Sequence, residues 1–315
     1  MPDPRSEIDW PRTRERLAGL GLPDARIVHE LEEGAYSPTH RWIVATGTGA
    51  TYFVKATLGR KLGAHLEHLV YASGLGDFLP RLVAWSEEAD GEPALLVTED
   101  LSRAWWGGAQ AADATALRTA LDHVAIAAPP EGVEVLDGSH QLASTTWTRL
   151  ADDPTPLLAT GIADEAWCDR AVARLAAAAQ RVDIAGDHLV HGDLWRQNWC
   201  TATDRGAVLV DWTGAARGNP LVNAAWGECG VRACGGPGGI VFPAGHREHG
   251  PWSAWMSGLA VGFLLHRYAE RARTPRLHET QLREAIAGLA WASETLGIDA
   301  PTPAADVLPA GPWRP

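Results

Sequence analysis

The sequence predicts an α+β protein of two lobes: an N-terminal antiparallel sheet with one helix, then a mostly helical C-terminal lobe. Three observations carry this expectation. Short runs rich in Val, Ile and aromatic residues crowd the first third of the chain. Alanine-rich stretches with apolar residues at helical spacing fill most of the rest. At 315 residues the chain is also long for one compact core, and the change in character near residue 100 divides it into lobes of 1–100 and 101–315.

In order, residues 26–32 (RIVHELE), 40–46 (HRWIVAT) and 51–56 (TYFVKA) read as strands, the last two joined by the hairpin turn GTGA. Residues 61–74 follow as a helix, with Leu62, Leu66, Leu69 and Val70 on one face. Residues 80–86 and 94–98 complete the strands, and EDLSRAWWGG is a connector. Helices are expected over 111–127 and 163–182, short strands over 197–202 and 207–211, and helices over 219–230, 251–273 and 278–295. Pro275 separates the last two.

Composition excludes some partners. A formal charge of −12 disfavours nucleic acid as the main partner and suits a cationic substrate, although acidity also keeps soluble proteins dispersed. The apolar run near Trp255 to Leu265 is too short to cross a bilayer, and the first residues carry no apolar signal core. Cys168, Cys200, Cys229 and Cys234 form neither a CxxC pair nor a zinc pattern, so reduced thiols and a cytoplasmic location are expected. Lys55 and Lys61 are the only lysines in an arginine-rich chain, and a lysine kept on a buried-looking strand asks for a reason.

The chemistry gathers around HGDLWRQNW (His191 to Trp199) and LVDWTGAARGNP (Leu209 to Pro220). An isolated Asp-x4-Asn is usually a turn or a helix cap. Here it has company. Transfer of a phosphoryl group needs a cation on the phosphates, a metal held by oxygen ligands, a group near the acceptor hydroxyl and a cradle for the nucleotide. Asp193 and Asn198 stand five apart on a loop, so one can face the acceptor while the other turns to a metal. Asp211 ends the apolar run AVLV, and Lys55 sits mid-strand with Glu67 twelve residues later on a helix.

These motifs resemble the aminoglycoside phosphotransferase and choline kinase-like family, a branch of the protein-kinase-like fold. YFVK matches its strand lysine, EHLVYASGL its helix glutamate and LLVTEDL its adenine-holding linker. The resemblance spans roughly residues 26 to 232 and implies ATP or GTP as phosphoryl donor with Mg2+ as cofactor. It implies that Asp193 is catalytic, that Asn198 and Asp211 ligate the metal, and that Lys55, supported by Glu67, holds the phosphates. Backbone groups around Thr98, Glu99 and Leu101 would hold the base.

Three departures stand out. No G-x-G-x-x-G is present, so the phosphate-covering loop is expected at GAYSPTH, with Ser37 and Thr39 as donors, and not at the GTG of Gly47 to Gly49. Asn223 stands where the family usually carries an aspartate, bringing hydrogen-bonding capacity but no charge. The span after Asp211 leaves no room for a peptide-docking segment, which favours a small hydroxylated acceptor: an aminoglycoside or other antibiotic, an amino sugar or an amino alcohol. A nucleotide-binding pseudokinase and a protein kinase are the competing readings.

Other features have plainer readings. His191 is expected to be structural, while Trp195 and Arg196 either touch the acceptor or the phosphate or merely cover the loop. Trp105, Trp106, Trp226, Trp252 and Trp255 fall in segments that the family uses near its acceptor, though core packing suits any single one of them better. GHREHG reads as a loop with His246 and His249, and ECGVRACGGPGG as a flexible glycine-rich loop.

Overall fold

Alternation builds the N-terminal sheet. In the computed structural model, which describes residues 8–31, 39–59, 61–106, 108, 110–136, 141–242, 245–305 and 307, strands β1 (Arg26–Glu30), β2 (Thr39–Ala45), β3 (Thr51–Thr57), β4 (Leu82–Ser86) and β5 (Ala94–Glu99) form this sheet. Its order is β1-β2-β3-β5-β4 and every pairing is antiparallel. Successive side chains of a strand point to opposite faces. Val54 and Ala56 of β3 therefore face one side, where they pack with Leu17, Trp42, Val44, Leu95 and Val97. Lys55 faces the other side, in register with Leu96, beneath α2 (Lys61–Ala72).

Leu17 belongs to a helix that the sequence reading did not assign, α1 (Trp10–Gly19). Four charged residues interrupt its apolar pattern, but its local signals are clear: Asp9 caps it, accepting from Arg12 N at 3.4 Å, and a proline lies in its first turn. The expected strands and α2 agree with the observed ones to within two residues at either end.

After β5 the chain turns helical. Helices α3 (Ala111–Ile126), α4 (Gln141–Asp152), α5 (Thr155–Leu158), α6 (Glu165–Ala179), α7 (Leu221–Ala233), α8 (His249–Arg267) and α9 (Pro275–Leu296) enclose a core that includes Trp147, Trp167, Trp226, Trp252 and Trp291. Helix α8 is buried on almost every side and packs against α4, α6 and α9. Helix α4 was not expected, because its Ser and Thr residues compete for backbone hydrogen bonds and weaken the helical signal. Packing overrides that preference: Trp147 is fully buried and its indole N–H donates to Ala254 O at 2.8 Å on α8.

Several boundaries move. Pro275 opens α9 instead of lying in the gap before it, since proline lacks only an N–H that a first helical turn leaves unpaired. Helix α8 stops at Arg267 and gives way to a 3-10 turn at Tyr268–Glu270. The stretch ECGVRA lies within α7 and not in a loop, leaving only the glycines after Cys234 to form one. This lobe also holds two antiparallel pairs: the hairpin of β7 (Trp199–Ala202) with β8 (Gly206–Leu209), and the three-residue strands β6 (His188–Val190) and β9 (Ala216–Gly218), which were not expected. All four cysteines are free. Among the described residues no helix is long and apolar enough to cross a membrane.

Candidate active site

Lys55, Glu67, Asp193, Asn198 and Asp211 gather where β3 and α2 meet the chain just after β6 and β8. Lys55 Nζ lies 2.7 Å from Glu67 Oε2 on α2 and 2.7 Å from Asp211 Oδ1 beyond β8. Its ammonium is shielded from water, which disfavours the charge, yet Asp211 and Glu67 outweigh that and raise its pKa. Burial acts on Glu67 in the opposite sense, raising its carboxyl against the pull of Lys55. With Nζ at 2.7 Å and Tyr71 donating to the other carboxylate oxygen at 2.9 Å, the ionised pair is the state that this geometry supports.

Asp211 has φ 62 and ψ 56, the left-handed region that side chains seldom adopt. Its N–H donates to Tyr71 Oη at 3.0 Å, and Thr213 Oγ1 donates to its Oδ1 at 3.2 Å. Burial alone would raise the Asp211 carboxyl, but the charge and hydrogen bond of Lys55 hold it at about 2.

Asp193 follows β6 on a loop that closes through backbone contacts. Asn198, in a 3-10 turn, donates through Nδ2 to Asp193 O at 2.6 Å and to Asp193 Oδ2 at 3.1 Å, while its backbone carbonyl accepts from Val210 N at 2.8 Å. Catalytic-loop and metal-ligand candidates are thus tied to the strand end that carries Asp211. Desolvation in the cleft and the charge of Asp211 push the Asp193 carboxyl up to about 7, against the opposing pull of Asn198 and Lys55.

Asn223 braces this loop without a charge. Its Oδ1 accepts from His191 N at 2.8 Å and its Nδ2 donates to Leu189 O at 3.0 Å. His191 is wholly buried, its Nε2 lying 2.8 Å from Val210 O, and burial lowers its pKa to about 4, so it is a neutral structural group. Arg196 lies under the loop, donating to Trp199 O at 2.6 Å and stacking 4.5 Å from the Trp199 ring centroid. Trp195 is buried edge-on against Trp226, with ring centroids 4.6 Å apart. Both pack against the loop from the buried side.

The linker is more occupied than the sequence suggested. Thr98 is buried in the sheet, and Leu101 O already accepts from Ala104 N at 2.9 Å and Trp106 Nε1 at 3.1 Å. Glu99 uses its side chain to join lobes: Oε1 accepts from Arg205 on the turn between β7 and β8 and from Arg81 N at 2.7 Å. Of the expected phosphate-loop donors, Thr39 opens β2 in register with Thr57, whereas Ser37 lies outside the described residues. His249 begins α8 and accepts from Trp291 Nε1 at 2.9 Å.

Three contributors escaped sequence reasoning. Tyr71 sits four residues after Glu67, on the same helical face, which was a usable signal. Thr213 is two residues from Asp211. Glu284 on α9 is 5% exposed, and its carboxylate has no hydrogen bond or ion pair among the described residues. Burial and then the neighbouring charge of Asp193 raise its pKa well above the usual carboxylate range.

The oxygen set suits a hard cation. Among the described residues no three His, Cys, Asp or Glu side chains form a metal cage. Asp211 and Asn198 instead offer one carboxylate and one amide oxygen, an incomplete set of the kind magnesium fills with water and ligand phosphates.

No protein-family model matches the chain, and no curated protein matches it. Solved structures do. A thermostable mutant of aminoglycoside phosphotransferase APH(4)-Ia superposes with a TM-score of 0.54 at 16% identity, over 87% of this chain and 98% of that one. A mutant of aminoglycoside 2'-phosphotransferase-IIIa with GDP gives 0.54 at 16% identity, over 90% and 97%. Spectinomycin phosphotransferase APH(9)-Ia with ADP and spectinomycin gives 0.52 at 12% identity, over 92% and 89%. The chain has the two-lobed, protein-kinase-like fold of the aminoglycoside phosphotransferases.

Proposed function

We propose that the protein is a small-molecule kinase that transfers the γ-phosphoryl group of ATP or GTP to a hydroxyl of an amine-bearing acceptor, an aminoglycoside or related antibiotic being the leading class. The observation that carries this reading is the convergence of Lys55, Glu67 and Asp211 with Asp193 and Asn198. Chain segments far apart in sequence supply those groups, which a polar turn does not require.

In this reading Lys55 leaves Asp211 for the donor phosphates while Glu67 holds it forward. Asp211 and Asn198 would hold Mg2+, which when bound would supply charge neutralisation at the transferring group. Asp193 Oδ2 is steadied by Asn198 at 3.1 Å, and its other oxygen orients the acceptor O–H and takes its proton. The acceptor oxygen bonds to the γ-phosphorus as the bridging oxygen departs with the nucleoside diphosphate. Most of the acceleration comes from positioning and charge stabilisation. Backbone groups of the linker around Thr98, Glu99 and Leu101 would hold the nucleobase, and the segment around Ser37 and Thr39 is assigned to the phosphates. Glu284, buried within electrostatic reach of Asp193, favours a protonated amine on the acceptor, because such an amine would pair with the carboxyl as it ionises.

Release of ADP or GDP from the Mg2+ nucleotides, measured over aminoglycosides, other hydroxylated antibiotics, amino sugars and amino alcohols, tests the reading. Acceptor-dependent release is expected, falling at least about 100-fold in Asp193→Ala. Release that Asp193→Ala leaves unchanged would sink the mechanism. Nucleotide binding with silence over the whole panel would favour a pseudokinase, against which the intact brace at Asn223 stands.

A further inference from the structure

Asp211 is held at two ends. Its carboxylate receives Lys55 Nζ at 2.7 Å, and its backbone N–H donates to Tyr71 Oη at 3.0 Å. Tyr71 donates in turn to Glu67 Oε1 at 2.9 Å, and Glu67 Oε2 accepts from Lys55 Nζ at 2.7 Å. The four residues close a ring of hydrogen bonds, and every member of it lies where α2 meets the strand ends. Tyr71 is 6% exposed, so its hydroxyl has little access to water as an alternative partner.

We propose that Tyr71 is the positioning residue of the metal site: its hydroxyl fixes the left-handed backbone of Asp211 to α2 and keeps the carboxylate aimed once Lys55 has moved to the nucleotide. This rests on the phosphotransferase reading above. The chemistry of the ring requires a second hold of this kind. When Lys55 turns to phosphates, the carboxylate loses a partner at the moment when it must ligate a cation. A left-handed non-glycine backbone persists only where its surroundings impose it. Thr213 Oγ1, at 3.2 Å from Asp211 Oδ1, touches the carboxylate, whereas Tyr71 holds the backbone. The same hydroxyl touches Glu67, so the placement of α2 and the aim of Asp211 become one variable.

A phenylalanine at position 71 would fill the same space and lack only the two bonds. The test is calorimetric binding of a non-hydrolysable ATP analogue to wild type and Tyr71→Phe, with and without Mg2+. In the variant the affinity gain from Mg2+ is expected to shrink about tenfold, beyond whatever loss Mg2+-free binding shows through Glu67. An unchanged Mg2+ gain, or an equal loss with and without Mg2+, would overturn the proposal, because a merely structural tyrosine weakens both alike. Wild type that binds no nucleotide would overturn it together with the phosphotransferase reading, which separates the two failures. Hydrogen exchange of the Asp211 amide in wild type needs no variant: slow exchange is expected, and exchange as fast as in an open loop would refute the bond.

Discussion

Gly192 and Asp211 are the residues at which the backbone itself does what side chains usually do. Gly192 has φ 76, and a Cβ there would stand 2.1 Å from Gly214 O, on the turn that carries Asp211. The loop that carries Asp193 and the turn that carries Asp211 approach this closely only because one residue has no side chain. Gly192→Ala must therefore separate them, beyond the roughly 1–2 kcal/mol of left-handed strain. Gly206→Ala is the matched control, since Gly206 has φ 86 and a methyl group there would meet nothing within 4 Å. Both variants should melt lower, at about 2–4 °C per kcal/mol for a chain of this size. Only Gly192→Ala should also lose phosphotransfer, by about 100-fold or more. Equal effects on melting and activity would mean that the close approach is unimportant. The HGD motif made Gly192 visible in the sequence but supplied no reason for it. The left-handed turn at Asp211 was not visible at all, because valine followed by aspartate reads as a strand end.

At the scale of elements, the linker after β5 is anchored by a side-chain contact that the sequence did not show. Glu99 ends β5 and was expected to offer backbone to a nucleobase, yet its carboxylate grips Arg205, whose side chain is only 6% exposed. Arg81 N joins the same oxygen, so three segments of the chain share one anchor. Arg205→Ala should cost about 1–3 kcal/mol, the penalty of stranding a partly shielded carboxylate. It should raise the KM for nucleotide several-fold, with kcat changed little, because the linker loosens while Asp193 is untouched. Unchanged KM in a variant that melts lower would show the contact to be purely structural. Elements with strong local periodicity, such as β3 and α2, were legible to within two residues. Helices α1 and α4 were not, since charge breaks up one apolar stripe and Ser and Thr dilute the other; what makes them helices is burial of Leu17 and Trp147 against partners distant in sequence.

Across the whole molecule, the formal charge of −12 hinted at a cationic partner without saying where it would sit. Asp193, Asn198 and Asp211 were readable because they share short motifs, and Lys55 because lysine is so rare here. Glu284 was unreadable: a glutamate on an amphipathic helix looks solvated until the fold buries it. Burial and Asp193 raise its carboxyl pKa, so the folded protein keeps a proton there that the unfolded chain gives up near the ordinary value. Below that ordinary value both states are protonated and stability is intact. As pH rises toward the folded value the unfolded state holds fewer protons, and stability falls. Glu284→Gln, which cannot ionise, should escape this loss. Its melting temperature relative to wild type should climb as pH rises above the ordinary glutamate value. A bound amine reverses the balance by pairing with the ionised carboxylate, so the same variant should raise the acceptor KM about tenfold or more and leave the nucleotide KM alone. A melting difference that stays flat with pH, together with an unchanged acceptor KM, would remove Glu284 from the acceptor site and leave the amine preference without a residue to explain it.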